Sequence, residues 1–300
     1  MRRRSLALAT LFLLCWLPSG SAVGTETTAQ CPPTPGIAAN QDVVRGKCLF
    51  NSSTVFGQDS TGPFASCSRC HYGSEKTDRS VHVVRVTNQA GQTIEVLRKT
   101  PSLLKASHNA PFGFDGRFAT VQEAARAAIL SPVEMRGTTV TNDQLDAIAA
   151  YVLGLPFSDA DVHDATMPDT IDSGTLNQIA IGHGVFFGNG KCSTCHSGPD
   201  FTNHAMATNQ VNLTFSGGTD PGAAFVGTGP VGHFKVPSLL FFNEGARPAM
   251  HSGAMDKIEQ VIRFYNVSLR LGLTGSQQTG LGYWLRNCLD PRRTPQPSTC

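Results

Sequence analysis

The sequence predicts a mainly α-helical protein made of two helical domains related by an internal repeat. Three observations carry that prediction. A CxxCH motif occurs twice, at Cys67–His71 and at Cys192–His196. KTPSLL at Lys99–Leu104 returns as KVPSLL at Lys235–Leu240. Several segments around them place apolar residues at helical spacing, and no strand pattern precedes either motif.

The first element is an export signal. Arg2, Arg3 and Arg4 precede an apolar run from Leu6 to Leu17, then small residues with cleavage points after Ala22 or Gly24. This is the layout of a secretory signal over residues 1–24. The run is too short to span a bilayer comfortably, and no later stretch is long and apolar enough to do so. Without the signal the chain has 21 basic and 22 acidic residues, which gives no reason to expect nucleic acid or an anionic membrane as partner. The remainder reads as an N-terminal domain over 25–160 and a C-terminal domain over 161–300. A linker rich in Pro, Ser and Asp joins them near residues 156–173.

Helices follow in order. TVQEAARAAIL begins with Thr120 and Glu123 in capping-box spacing and stops at Ser131-Pro132. TNDQLDAIAAYVLGLP carries Leu145, Ile148, Ala149 and Val152 on one face, and Gly154 and Pro156 end it. Before the second motif, Leu176, Ile179, Ala180 and His183 share a face, which makes His183 a packed core histidine. DKIEQVIRFYN follows the MHSG loop at Met250–Gly253, with Asp256 as the N-cap candidate.

Of nine cysteines, Cys15 leaves with the signal and four belong to the motifs. Cys31, Cys48, Cys288 and Cys300 remain, an even number in an exported chain. Three pairings are open, and the local one is Cys31–Cys48 with Cys288–Cys300. In CxxCH, two thiols three residues apart can both add to the vinyl groups of one porphyrin, and the adjacent histidine reaches the iron. A zinc ribbon needs two Cys pairs but no histidine directly after each. A thioredoxin-like site would follow a strand. Two covalently bound haem c groups are therefore expected, on Cys67 and Cys70 and on Cys192 and Cys195, with His71 and His196 as iron ligands.

Together with FDGR at Phe114–Arg117, SPVEM at Ser131–Met135 and the HSG loop leading into RFYN, these motifs give a resemblance. From about Gly46 to about Asn266 the chain resembles the bacterial di-haem cytochrome c peroxidases and their relative MauG, the maturation enzyme of methylamine dehydrogenase. The resemblance implies two cytochrome c-like helical domains whose haems face a shared interface. It implies reduction of hydrogen peroxide in the periplasm at the N-terminal haem. Electrons would enter through the C-terminal haem from a small cytochrome c or a copper protein. It places the catalytic glutamate at Glu134, and family members often form homodimers. It also puts the sixth ligand of the second haem fourteen residues beyond the loop histidine His251, at Tyr265. That tyrosine shares a helical face with Ile258, Val261 and Ile262. Phenolate ligation favours ferric iron and lowers the potential; a thioether, from Met206, Met250 or Met255, would raise it.

Four departures from the family pattern stand out. Phe114 replaces the tryptophan that family members place before DGR, and neither Trp16 nor Trp284 substitutes for it. His82 is the candidate for the loop histidine that closes the resting N-terminal haem, in a longer loop than usual. Lys99 stands where the family's interdomain calcium takes an asparagine, which argues against an identical calcium site. Tyr265 in place of methionine favours a MauG-like oxidase that modifies a protein side chain, whereas Phe114 weakens that reading. A non-catalytic di-haem electron carrier is the third possibility.

Overall fold

Capping boxes start three of the main helices in the computed structural model. It describes Cys31 and residues 39–74, 76–155, 171–208, 214–215, 218–242, 249–291 and 300. The export signal, Trp16 and most of the linker lie outside these residues. Among the described residues the fold is mainly helical, with seven α-helices: α1 Ala39–Asn51, α2 Val121–Leu130, α3 Asn142–Gly154, α4 Ser173–Phe187, α5 Ala223–Val226, α6 Ile258–Ser268 and α7 Gly275–Cys288. Thr120, Thr141 and Thr274 cap α2, α3 and α7 in reciprocal bonds with Glu123, Gln144 and Gln277. α6 begins one residue later than expected. Lys257, not Asp256, is its N-cap, because the Gln260 side chain accepts the backbone N–H groups of both Asp256 and Lys257.

Among the described residues six strands accompany the helices. The longest pair, β1 Val81–Thr87 and β2 Thr93–Lys99, forms an antiparallel hairpin that pairs Val81 with Lys99 and Thr87 with Thr93. The β-branched valines of VHVVRV suit it to a strand. The others are short: β3 Met206–Thr208 pairs with β6 His233–Lys235, and β4 Thr214–Phe215 with β5 Gly218–Thr219.

Residues 31–300 form one compact unit with two main apolar clusters. The first gathers Leu49, Phe50, Ile129, Leu145, Ile148 and Tyr151. The second gathers Ile179, Val185, Phe186, Ile262, Leu281 and Trp284. Each is built on a close helix crossing. α1 meets α3 at Gly46, where an added Cβ would lie 2.0 Å from the Ala147 carbonyl. α4 meets α7 at Gly182, where it would lie 2.1 Å from the Gly280 carbonyl. One turn beyond each glycine a phenylalanine meets an aromatic partner: Phe50 on Tyr151 at 5.2 Å and Phe186 on Trp284 at 4.4 Å.

This crossing corrects the expected face of α4. The buried stripe runs through Ile179, Gly182, Val185 and Phe186, while Ala180 and His183 are exposed. His183 is not a core residue; its ring lies at the rim of the cluster, 4.8 Å from Phe187. Choosing the face by hydrophobicity overlooked Gly182, which is buried because backbone touches backbone there.

The crossing also sets a testable asymmetry. Gly182→Ala is expected to lower stability by about 1–3 kcal/mol, since the overpacking strain exceeds the ~1 kcal/mol that alanine gains as a helix former. Gly184→Ala, where an added Cβ meets nothing within 4 Å, is expected to be neutral or stabilising. Denaturation midpoints of the two variants measure the difference.

The four cysteines outside the motifs pair locally, Cys31 with Cys48 and Cys288 with Cys300. The VPSLLFF segment is shared between the clusters. Leu239 and Phe242 pack on the second, and Leu240 and the buried Phe241 on the first.

Candidate functional site

Both CxxCH motifs fold into a short 3-10 turn, Cys67–Arg69 and Cys192–Thr194. The backbone then repeats bond for bond. His71 and His196 donate N–H to the carbonyls of Cys67 and Cys192, each at 2.9 Å. Eight residues after Cys70 and Cys195, the Asp78 and Asn203 amides return to their carbonyls. The Thr77 and Thr202 hydroxyls donate to the carbonyls of Thr100 and Val236, next to the prolines of the KTPSLL and KVPSLL segments. Lys76 and Phe201 both take φ of 48°, in the left-handed region, to close the loop.

That loop fixes the histidines. His71 Nδ1 is 3.1 Å from the Lys76 carbonyl, and His196 Nδ1 is 3.1 Å from the Phe201 carbonyl. A carbonyl at Nδ1 places the ring proton there and leaves the lone pair on Nε2, the arrangement of a metal-binding imidazole. Burial lowers the pKa of both rings, that of His196 to about 4, so both are neutral and able to ligate.

The motif thiols are free. Burial pushes Cys67 and Cys70 up to about 12 and Cys192 up to about 11. These thiols are neutral in the absence of a bound group. Among the described residues the two cysteine pairs do not meet in one cluster; Cys67 packs on the first apolar cluster and Cys192 on the second. Neither turn follows a strand. Free thiols on an apolar wall, beside a histidine of fixed tautomer, fit a porphyrin at each motif.

The first motif gathers polar groups. His82, from β1, has Nε2 2.6 Å from Asp78 Oδ2 and 4.0 Å from Cys70 Sγ. Cys70, Asp78 and His82 offer ligand atoms all within 4.8 Å of one another. Glu134 lies in the turn after α2, where Glu134 N donates to the Ser131 carbonyl. Burial raises its pKa, against the charge of Arg117. The charge of Glu134 in turn helps hold Cys70 up. The structure thus brings Glu134, His82 and Arg117 around the Cys70 end of the motif. Met135 Sδ lies 3.8 Å from Cys67 Sγ on the other side.

The second motif gathers fewer polar groups. Tyr265 projects from α6 toward it. Burial raises its pKa, and the Cys195 and Cys192 thiols raise it further. Met206 packs over Gly116, and His251 stacks on Phe234 with ring centroids 3.6 Å apart.

Between the motifs the two halves are tied by polar bonds. Phe114 accepts a hydrogen bond from Lys235 N at 2.8 Å. Arg98 forms a bidentate pair with Asp220, and Arg117 Nη1 donates to Asp115 Oδ2 at 2.6 Å. His251 Nε2 stands 3.9 Å from Asp220. Arg98, Asp115 and Asp220 are buried, and none was a candidate from the sequence. Their partners come from the other half of the chain or from a short loop, and no helical or strand period records such contacts. Asp78 and Met135 escaped notice for the same reason, although SPVEM had drawn attention to the segment that holds Met135.

Comparisons with known proteins agree with this geometry. The family described as "Di-haem cytochrome c peroxidase" matches residues 41–160. A "Cytochrome-c peroxidase IdrP2" from Pseudomonas sp. (strain SCT) is 23% identical, covering 78% of this chain and 76% of its own length. Among solved structures, a MauG-like protein associated with microbial copper homeostasis superposes with a TM-score of 0.60 at 17% identity, covering 89% of this chain and 96% of that one. The diheme peroxidase BthA from Burkholderia thailandensis E264 gives 0.58 at 17% identity, covering 86% and 87%. The structural likenesses speak for the fold. Residues 41–160, which contain the first CxxCH motif and SPVEM, thus match the di-haem cytochrome c peroxidase family, and the relatives named as cytochrome-c peroxidases are similar over most of the chain.

Proposed function

We propose that the chain is an exported, periplasmic di-haem peroxidase that reduces hydrogen peroxide to water with electrons from a small cytochrome c or copper protein. The observation that carries this reading is the half-buried Glu134 beside Cys70, with His82 and Arg117 around it. Haem c would be held by Cys67, Cys70 and His71 and by Cys192, Cys195 and His196, as two domains over 25–160 and 161–300. The matched loops around the two motifs and the matched crossings at Gly46 and Gly182 support an internal repeat. When bound, haem supplies the redox-active iron at which the O–O bond is reduced.

Two electrons and two protons convert one peroxide to two waters. The protein's part is to move protons. As a carboxylate, Glu134 takes a proton from one peroxide oxygen and returns it to the other. Burial raises its affinity for that proton. Arg117 supplies positive charge that keeps the ionised form accessible. His71 is held in its ligating tautomer by Lys76.

Tyr265 beside the second motif's thiols favours a second reading, a MauG-like oxidase acting on a protein side chain. One experiment separates the readings. The haem-loaded protein, diferric and half-reduced, is mixed rapidly with hydrogen peroxide and followed by absorption and EPR. Reaction only after half-reduction, with turnover from a reduced cytochrome, is the peroxidase result. Direct reaction of the diferric protein supports the oxidase. Absence of reaction in both states leaves an electron carrier.

A further inference from the structure

Three lysines converge where the two halves meet. Lys105 Nζ donates to the Ser238 carbonyl at 2.9 Å, and Lys235 Nζ to the Asn109 carbonyl. Ser238 N and Asn109 Oδ1 are themselves joined at 3.0 Å, so the two ammonium groups sit on either side of one hydrogen-bonded pair. Lys235 is only 5% exposed. Among the described residues no carboxylate lies within ion-pair distance of Lys105 or Lys235; both are held by neutral carbonyls alone. Burial and the neighbouring Lys105 charge bring Lys99 and Lys235 down to about 7, and burial brings Lys105 to about 8.

With Lys235 buried and Lys99 and Lys105 half-buried beside it, such a cluster is costly unless an anion joins it, because cations removed from water need both a counter-charge and hydrogen bonds. Its place in the chain says which anion. Lys99 and Lys235 occupy the same position in KTPSLL and KVPSLL, two residues before Pro101 and Pro237. The carbonyls of those prolines hydrogen-bond His71 and His196. The charge of Lys105 also reaches His196. Lys99 and Lys235 therefore stand two residues from the prolines that reach the motif histidines, and Lys105 acts on His196 directly.

We propose that Lys105 and Lys235, flanked by Lys99, form a carboxylate-binding site at the junction of the halves that receives the propionate groups of the bound haems. The site rests on the haem reading of the CxxCH motifs. It makes one patch of protein charge common to both cofactors.

The test uses the haem-loaded protein and Lys235→Met, Lys105→Met and Lys235→Arg. In each Met variant the propionate bending modes in resonance Raman are expected to shift. At least one haem reduction potential should move negative, and the melting midpoint should fall. Lys235→Arg should stay near wild type in potential. Unmoved modes and potentials, with a melting midpoint that rises as an uncompensated buried charge is removed, would overturn the proposal. A potential shift in a Met variant that added acetate reverses would assign the site to an exogenous anion and overturn it equally. Should neither Met variant accumulate, the wild-type spectrum in H2O against D2O decides. Propionate modes sensitive to exchange support the site, and insensitive modes overturn it. Haem that leaves the chain on denaturation would refute the underlying motif reading instead, whatever the lysine variants show.

Discussion

Glu134→Gln is expected to lower turnover of hydrogen peroxide by about 10²–10⁴-fold, the range that a positioned general acid–base residue contributes. Covalent haem content should stay at the wild-type level. Glutamine fills nearly the same volume and keeps a hydrogen-bonding carbonyl, but it cannot carry a proton between two oxygens. Stability should respond in the opposite direction from activity. Burial raises the pKa of Glu134 in the folded protein above its unfolded value. The folded state then holds the proton more tightly, so ionised Glu134 costs stability once the pH exceeds the unfolded pKa. The cost grows through the window between the two pKa values and is fully present above the folded one. Glu134→Gln removes it at neutral pH, so the variant should be at least as stable as the parent. The acid limb of kcat/KM should lie above the ordinary carboxylate range and disappear in the variant. Steady-state kinetics against pH, with denaturation midpoints on the same samples, check both halves. A variant that kept full turnover would make Glu134 a structural residue and end its assignment as proton carrier.

Tyr265→Met is expected to raise the reduction potential of the second haem by on the order of a few tenths of a volt, within the ~0.8 V that axial ligands span. Exchanging phenolate for thioether removes a hard anionic donor that favours ferric iron. The pKa of Tyr265 is raised in the structure, first by burial and then by the Cys195 and Cys192 thiols. A phenol in this environment stays neutral until a cation faces it, so ionisation and ligation would go together. The variant should also lose direct reaction with peroxide in the diferric state and require prior reduction. Potentiometric titration with EPR of the ferric protein reads both changes. If Tyr265 only fills the core, the potential will hold still and the substitution will show as a modest loss of stability.

The sequence carried the parts of this site that rest on local spacing. CxxCH places two thiols and an imidazole on one short turn, whatever the rest of the chain does. Thr120 with Glu123 and Thr141 with Gln144 announced two helix starts that the structure keeps. Tyr265 was legible because α6 is strongly amphipathic and its apolar face had to turn inward. Where the decisive contact was backbone to backbone the signal failed. Gly182 reads as a weak helix residue, yet it is the point at which α4 meets α7, and that contact exposes His183. Gly46 hides α1 in the same way. The hairpin β1–β2 is rich in β-branched valine over Val81–Val86 but breaks strict alternation at Val83-Val84, so its strand signal is weak. The Arg98–Asp220 pair joins residues 122 apart in sequence, and no periodicity reports such a partner. The lysines at 99 and 235 were visible as a repeated letter; only the burial of Lys235 gave the letter a physical meaning.

VPSLLFF commits neighbouring side chains to two different walls, with Leu239 on one and Phe241 on the other. The same short segment supplies the Pro237 carbonyl to His196. A shift of this strip cannot serve one half alone. If the electronic state of the second half alters the first through it, thermodynamic linkage requires the first to bias the second by an equal free energy. Peroxide bound in one half would then change, by the same factor, how readily the other half gives up its electron.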